Sequence, residues 1–304
     1  MTAIINLKCE YKVNPLGIDV VQPRFSWMMD TERNGAKQTA YQILAATHSD
    51  LLTIGDTDLW NSGRNESDQS VHIVYEGKAL KSRQRVYWKV IVWDEAGEST
   101  TSDVAWFEMG FLSQDDWKAD WIHGILVGGE QTSVPSPYFR KDFWITEQIE
   151  SARLYVTVLG LLDCSINGQP VGDDLFVPGW TDYKKRIQYM VYDVTDLLSA
   201  GENVLGVLVG DGWAVGQVGL NQRQMYADRP SLIAQLEIKL AGGSTQVITS
   251  DNTWKHQYGA MLQADMIHGE AYDARLEYDG WDSSGFDDDD WLPAKVRDDI
   301  EVQL

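Results

Sequence analysis

Cysteine is nearly absent: Cys9 and Cys164 are the two among 304 residues, far apart and outside any Cys-x-x-Cys pair. A disulfide framework and a cysteine-built zinc site are therefore not expected, and Cys164, set in a strand-like run, reads as a small buried hydrophobe. Basic residues are scarce too. Twenty-five Lys and Arg stand against 46 Asp and Glu, for a formal charge of −21. A surface of that sign repels phosphate backbones, so nucleic acid is not an expected partner. No apolar run is long enough to span a bilayer, and no membrane partner is expected. The opening Met1-Thr2-Ala3-Ile4-Ile5-Asn6 lacks the basic and then apolar regions of a secretory signal, so the expected location is cytoplasmic. Long helical periodicity is missing, as are GxSxG, HExxH and Walker motifs. No catalytic residue is assigned to this chain.

Aromatic residues and turn chemistry are plentiful. Thirteen Trp and thirteen Tyr suit thick β cores and stacking platforms alike. The length predicts two domains, and the polar Ser113-Gln114-Asp115-Asp116 stretch places them at residues 1–112 and 117–304. In the first, Val86, Trp88, Val90 and Val92 alternate with Tyr87, Lys89, Ile91 and Trp93, which puts aromatics on both faces of a central strand. Asp94-Glu95-Ala96-Gly97-Glu98 then turns the chain back into a strand at 104–109.

In the second domain, short strands are separated by turn residues at Asn167-Gly168, Gly172-Asp173-Asp174, Pro178-Gly179, Ala200-Gly201 and Gly210-Asp211-Gly212. This is the pattern of an antiparallel β-sandwich. Residues 204–209 are apolar throughout, as a strand covered on both sides would be. Residues 232–240 alternate and predict a hairpin with 245–249 through Gly242-Gly243. The fold class is all-β. Gly210-Asp211-Gly212 does not make a dinucleotide site, because Val215 stands where the third glycine belongs and no helix pattern follows. Asp287-Asp288-Asp289-Asp290 reads as a solvated acidic turn.

The segment YWKVIVWDEAGESTTSD resembles the late strands of a fibronectin type III domain, and Pro23-Arg24-Phe25-Ser26-Trp27 an early one. That superfold implies no chemistry. NGQPVGDD, PGWTDYKKR, YDVTDLL, GENVLGVLVGDGW, HGEAYDAR and GWDSSGFDDDDW, in that order, resemble the N-terminal region of bacterial α-L-rhamnosidases. The resemblance implies a glycoside hydrolase that releases terminal α-L-rhamnose with inversion, its two carboxyls held in an (α/α)6 barrel. This chain would be its non-catalytic N-terminal part, a fibronectin type III-like sandwich followed by a jelly-roll, galactose-binding-like sandwich. The resemblance also implies L-rhamnose or rhamnosylated glycosides as ligands, the enzyme's own C-terminal catalytic domain as partner and, as in some rhamnose-binding modules, a bound Ca²⁺. The stop at Leu304, without a polar tail, reads as a cut at a domain boundary. The alternative is a structural module that binds no sugar.

Candidate contacts sit in the turns. Asn167, Asp182 and Asp211 could accept hydrogens from sugar hydroxyls, and Trp180 and Trp213 could offer ring faces to a pyranose. Asp173 and Asp174 could ligate Ca²⁺. Turn chemistry alone also explains the Asn-Gly and Gly-Asp-Asp sequences, and tryptophans plug sandwich ends equally well. In HGEAYDAR, His268 lacks a second ligand at metal spacing, and Arg275 suits an ion pair with a nearby carboxylate. His268, Glu270, Asp273 and Arg275 together are the candidate docking surface for a catalytic domain.

Overall fold

The alternation at residues 86–93 becomes the strand Arg85–Asp94, in which every second side chain from Val86 to Asp94 is buried. It lies inside an antiparallel sheet, paired with Gln38–Ala46 on one side and with Ser99–Thr101 and Ala105–Glu108 on the other. A second sheet, of Ala3–Cys9, Arg24–Asp30 and Ile73–Val74, shares its core. Phe25 reaches across to Trp88 and Phe107, with ring centroids 4.5 and 5.9 Å away. All three rings are essentially inaccessible, and truncating such a side chain typically costs about 3–5 kcal/mol.

The computed structural model describes residues 2–220, 222–300 and 302–304, and the chain divides into two units, Met1–Asp116 and Trp117–Leu304. In the second unit the apolar run 204–209 lies within the strand Gly201–Gly210. Pro137–Ile145 and Leu161–Ile166 flank this strand in a six-stranded sheet. A second large sheet is built on Ile149–Leu159 and Ser231–Leu240, the latter also forming the expected hairpin with Thr245–Thr249. One apolar cluster joins Phe139, Leu205 and Val207 of the first sheet to Leu154, Val156 and Leu236 of the second. The α-helical content of the described residues is the single turn Gly212–Val215.

The acidic run 287–290 differs from the solvated turn that its charge suggests. Asp288 turns inward to pair with Arg140 Nε at 2.9 Å and Lys255 Nζ at 2.6 Å. Arg140 is buried, and its guanidinium donates to the Trp281 carbonyl and lies 5.3 Å from the Phe286 ring centroid. Trp281 stacks on Trp291. A buried guanidinium requires a carboxylate close by, so one aspartate of the run serves the interior.

Candidate functional site

At Gly210 the strand Gly201–Gly210 ends and the chain folds into the turn Gly212–Val215. Gly212 is required there: its φ is +53°, and a Cβ would come within 2.6 Å of the Gly160 backbone. Gly212→Ala is expected to cost about 1–3 kcal/mol, read as a lower urea midpoint at unchanged m. The turn buries Ala214 and Val215 and leaves Trp213 half-buried.

Trp213 stacks on Trp180, with centroids 5.0 Å apart and planes at 16°. Trp180 is 53% exposed, and its indole N–H donates to the Tyr226 hydroxyl at 3.4 Å. Tyr226 packs at 5.3 Å on Tyr183, whose hydroxyl donates to the Gly179 carbonyl at 3.2 Å. Burial pushes the Tyr183 phenol up to about 12. Four rings thus lead from solvent into the core. The loop that carries Trp180 also exposes Leu175 at 80% and Phe176 at 66%.

Asp211, just before the turn, faces the other way. Its Oδ2 accepts from Arg223 Nη2 at 2.6 Å and from Ser133 Oγ at 3.1 Å. Arg223 Nη1 donates to Asp265 Oδ2 at 2.8 Å. All three residues are buried. Asp265 also accepts the backbone N–H groups of Gln217, Ile267 and His268 at 2.7, 2.8 and 2.9 Å. Burial pushes the Asp265 carboxyl up, but those amides and Arg223 outweigh it and hold it below the usual carboxylate range. Asp211 has fewer donors, and burial pushes it up. Among the described residues, Asp211 Oδ1 and Arg223 Nε have no hydrogen-bond partner.

This network staples the hairpin of Met261–Asp265 and Gly269–Tyr272, a sheet of only these two strands. An isolated hairpin is marginal in water. Asp265 fixes its turn through the Ile267 and His268 amides, and the Asp211 N–H donates to the Ala264 carbonyl at 2.9 Å.

Of the residues singled out in the sequence, Trp180 and Trp213 come together. Asp182 lies two residues after Trp180, in a tight turn where it accepts from the Lys184 N–H and pairs with Lys185 at 3.4 Å. Asp211 is buried against Arg223, because a one-turn helix after Gly210 turns the two neighbouring side chains in different directions. Asn167 stands elsewhere, at φ +54°, and its amide bridges the Leu197 carbonyl, Asn203 Oδ1 and the Val204 N–H. Asp173 and Asp174 are exposed, and Asp174 accepts from Tyr192. Among the described residues no group of three or more His, Cys, Asp or Glu could hold a metal ion. His268 and Glu270 are exposed on the hairpin. Asp273 caps the turn Ala274–Leu276 and forms a two-point pair with Arg275, which holds its carboxyl below the ordinary range. Arg223, Asp265, Tyr183 and Tyr226 were not anticipated. A lone arginine in a loop and a carboxylate at a strand end carry no periodic signal.

The α-L-rhamnosidase N-terminal domain family matches residues 147–304, and the Rha78A-like N-terminal immunoglobulin domain matches residues 4–113. An α-L-rhamnosidase of Formosa agariphila is 41% identical over 293 residues, 93% of this chain and 31% of that protein. The structure of Streptomyces avermitilis α-L-rhamnosidase complexed with L-rhamnose superposes with a TM-score of 0.93 at 26% identity, over 100% of this chain and 45% of that one. The α-L-rhamnosidase of Dictyoglumus thermophilum gives 0.89 at 36% identity, over 97% and 34%. The chain spans about a third of the length of three curated α-L-rhamnosidases that it matches. It belongs to the α-L-rhamnosidase N-terminal domain family, with an immunoglobulin-like domain ahead of the rhamnosidase N domain.

Proposed function

We propose that this chain is the non-catalytic accessory region of an α-L-rhamnosidase, a glycoside hydrolase that releases terminal α-L-rhamnose, and that its second unit docks against the enzyme's (α/α)6 catalytic domain. The observation that carries this is the apolar loop on which Leu175, Phe176 and Trp180 stand in solvent at 80, 66 and 53% exposure. Large apolar side chains exposed together on one short loop suit an interaction site. The greater length of the relatives supports a partner within the same polypeptide. The stapled hairpin with His268 and Glu270 gives the docking surface a second exposed element. A fibronectin type III-like sandwich followed by a jelly-roll, galactose-binding-like one suits the role, since sandwiches hold loops at their ends on a rigid scaffold.

Acid–base hydrolysis is not built into this chain. Asp211 and Asp265 have the opposed pKa shifts that mark an acid and a base. Both are buried around one arginine, whereas glycoside hydrolysis needs two carboxyls facing the sugar. Incubated with an aryl α-L-rhamnoside, the chain is expected to release aglycone no faster than buffer. Turnover proportional to the concentration of purified chain would refute this reading. A second reading places L-rhamnose against the exposed Trp180 ring, since the S. avermitilis enzyme is complexed with that sugar. It requires binding that Trp180→Ala abolishes.

A further inference from the structure

We propose that the first unit carries a small-molecule site of its own, a cleft of about 340 Å³ beside the edge strands Trp60–Asn61 and Ile73–Val74 that takes a neutral pyranose. Each of these two-residue strands ends its sheet, so the sandwich parts here and residues 62–72 cross from one sheet to the other along the opening. The crossing is pinned. Asn65 and Tyr41 exchange backbone hydrogen bonds at 2.8 and 3.0 Å, and the Trp27 N–H donates to the Ser70 carbonyl at 3.0 Å. Buried Gln38 donates to the Ser67 and Gln69 carbonyls at 3.1 and 2.7 Å and accepts from the Trp27 indole at 2.9 Å. A site already held in shape loses little entropy on binding.

The polar side chains among the residues that line the cleft include half-buried Tyr41, Trp60 and Asn65 and exposed Gln69, His72 and Glu76. Asn65 donates to the Ser62 and Gly63 carbonyls and Gln69 to the Val71 carbonyl, which leaves both amide oxygens as acceptors. Tyr41 is desolvated and next to the Glu76 charge, and both push its phenol up. Phenol, indole and imidazole donors beside amide and carboxylate acceptors match a ring of hydroxyls, each of which donates and accepts. Trp60 adds apolar surface and is fixed by stacking on buried Phe25 at 6.1 Å and 22°. No Lys or Arg lines the cleft, so an anion finds no counter-charge and meets Glu76. One carboxylate is too few for a hard cation. The volume lies in the usual range for small ligands, about 300–1,000 Å³.

The proposal stands apart from the docking surface, which lies on the other unit. It is tested by titrating the chain with methyl α-L-rhamnopyranoside, D-galactose and D-glucose to about 50 mM, because a ligand of this size binds with Kd of order 1 mM. Saturable binding of at least one sugar is expected, weakened at least about fivefold by Tyr41→Phe and by Glu76→Gln, with thermal unfolding confirming that both variants remain folded. The proposal is overturned by absence of saturable binding to all three sugars, by equal affinity in both variants, or by binding lost in Trp180→Ala instead.

Discussion

Arg223→Ala is expected to destabilise the second unit by about 3–5 kcal/mol at neutral pH, because it leaves two carboxylates buried without their cation. Arg223 bridges Asp211 and Asp265 at 2.6 and 2.8 Å. The loss should depend on pH. In the native chain Asp265 is held below its unfolded value, so its contribution is present above that value and fades as pH falls through the folded one. Asp211 is pushed up, so its contribution has the opposite sign: it is full below the unfolded value and is lost as pH rises through the folded one. Without Arg223 the Asp265 carboxyl rises from its depressed value and Asp211 moves further up, and the variant gains stability on acidification. The gap between wild type and variant should therefore narrow from pH 7 towards about pH 4. Urea unfolding at several pH values measures this, and a gap that stays constant or widens would exclude the buried network as its source.

The two aspartates should not be equivalent. Asp265→Asn is expected to cost about 3 kcal/mol or more, because its carboxylate takes four hydrogen bonds from N–H donors and an amide nitrogen cannot replace an acceptor. Asp211→Asn should stay within about 1 kcal/mol. Its Oδ2 can be replaced by the amide oxygen, which keeps the Arg223 and Ser133 bonds, and its Oδ1 has no partner among the described residues to lose. Amide exchange separates the two further: Ile267 and His268 should lose roughly a hundredfold in protection in Asp265→Asn and little in Asp211→Asn. Unchanged protection of Ile267 and His268 in Asp265→Asn would show that the network does not hold the hairpin.

Much of the scaffold was legible because strands announce themselves with period two. The burial of Val86, Trp88, Val90 and Val92 and the interior position of 204–209 follow from pattern alone. The turns were legible as turns, since Asn167 and Gly212 both have positive φ. Side-chain direction within a turn was not. Trp213 and Asp211 are two residues apart, yet one meets Trp180 at the surface and the other meets Arg223 inside. No periodicity connects residues on separate loops, so the Trp180–Trp213 stack and the Asp211–Arg223–Asp265 network appear only in three dimensions. Charge misled in the same way at 287–290, where Arg140 draws Asp288 inward.

The docking role is tested most directly in the full-length enzyme that carries this region, by changing exposed side chains that the region itself does not need. Leu175→Ser with Phe176→Asn removes the apolar tip, and asparagine tolerates the φ of +57° at position 176. The thermal midpoint of the isolated region should be unchanged, because exposed substitutions lie within about 0.5 kcal/mol. The temperature at which the full-length enzyme loses half its rhamnosidase activity should fall by at least about 5 °C. An unchanged inactivation temperature would contradict the proposal that this loop packs against the catalytic domain.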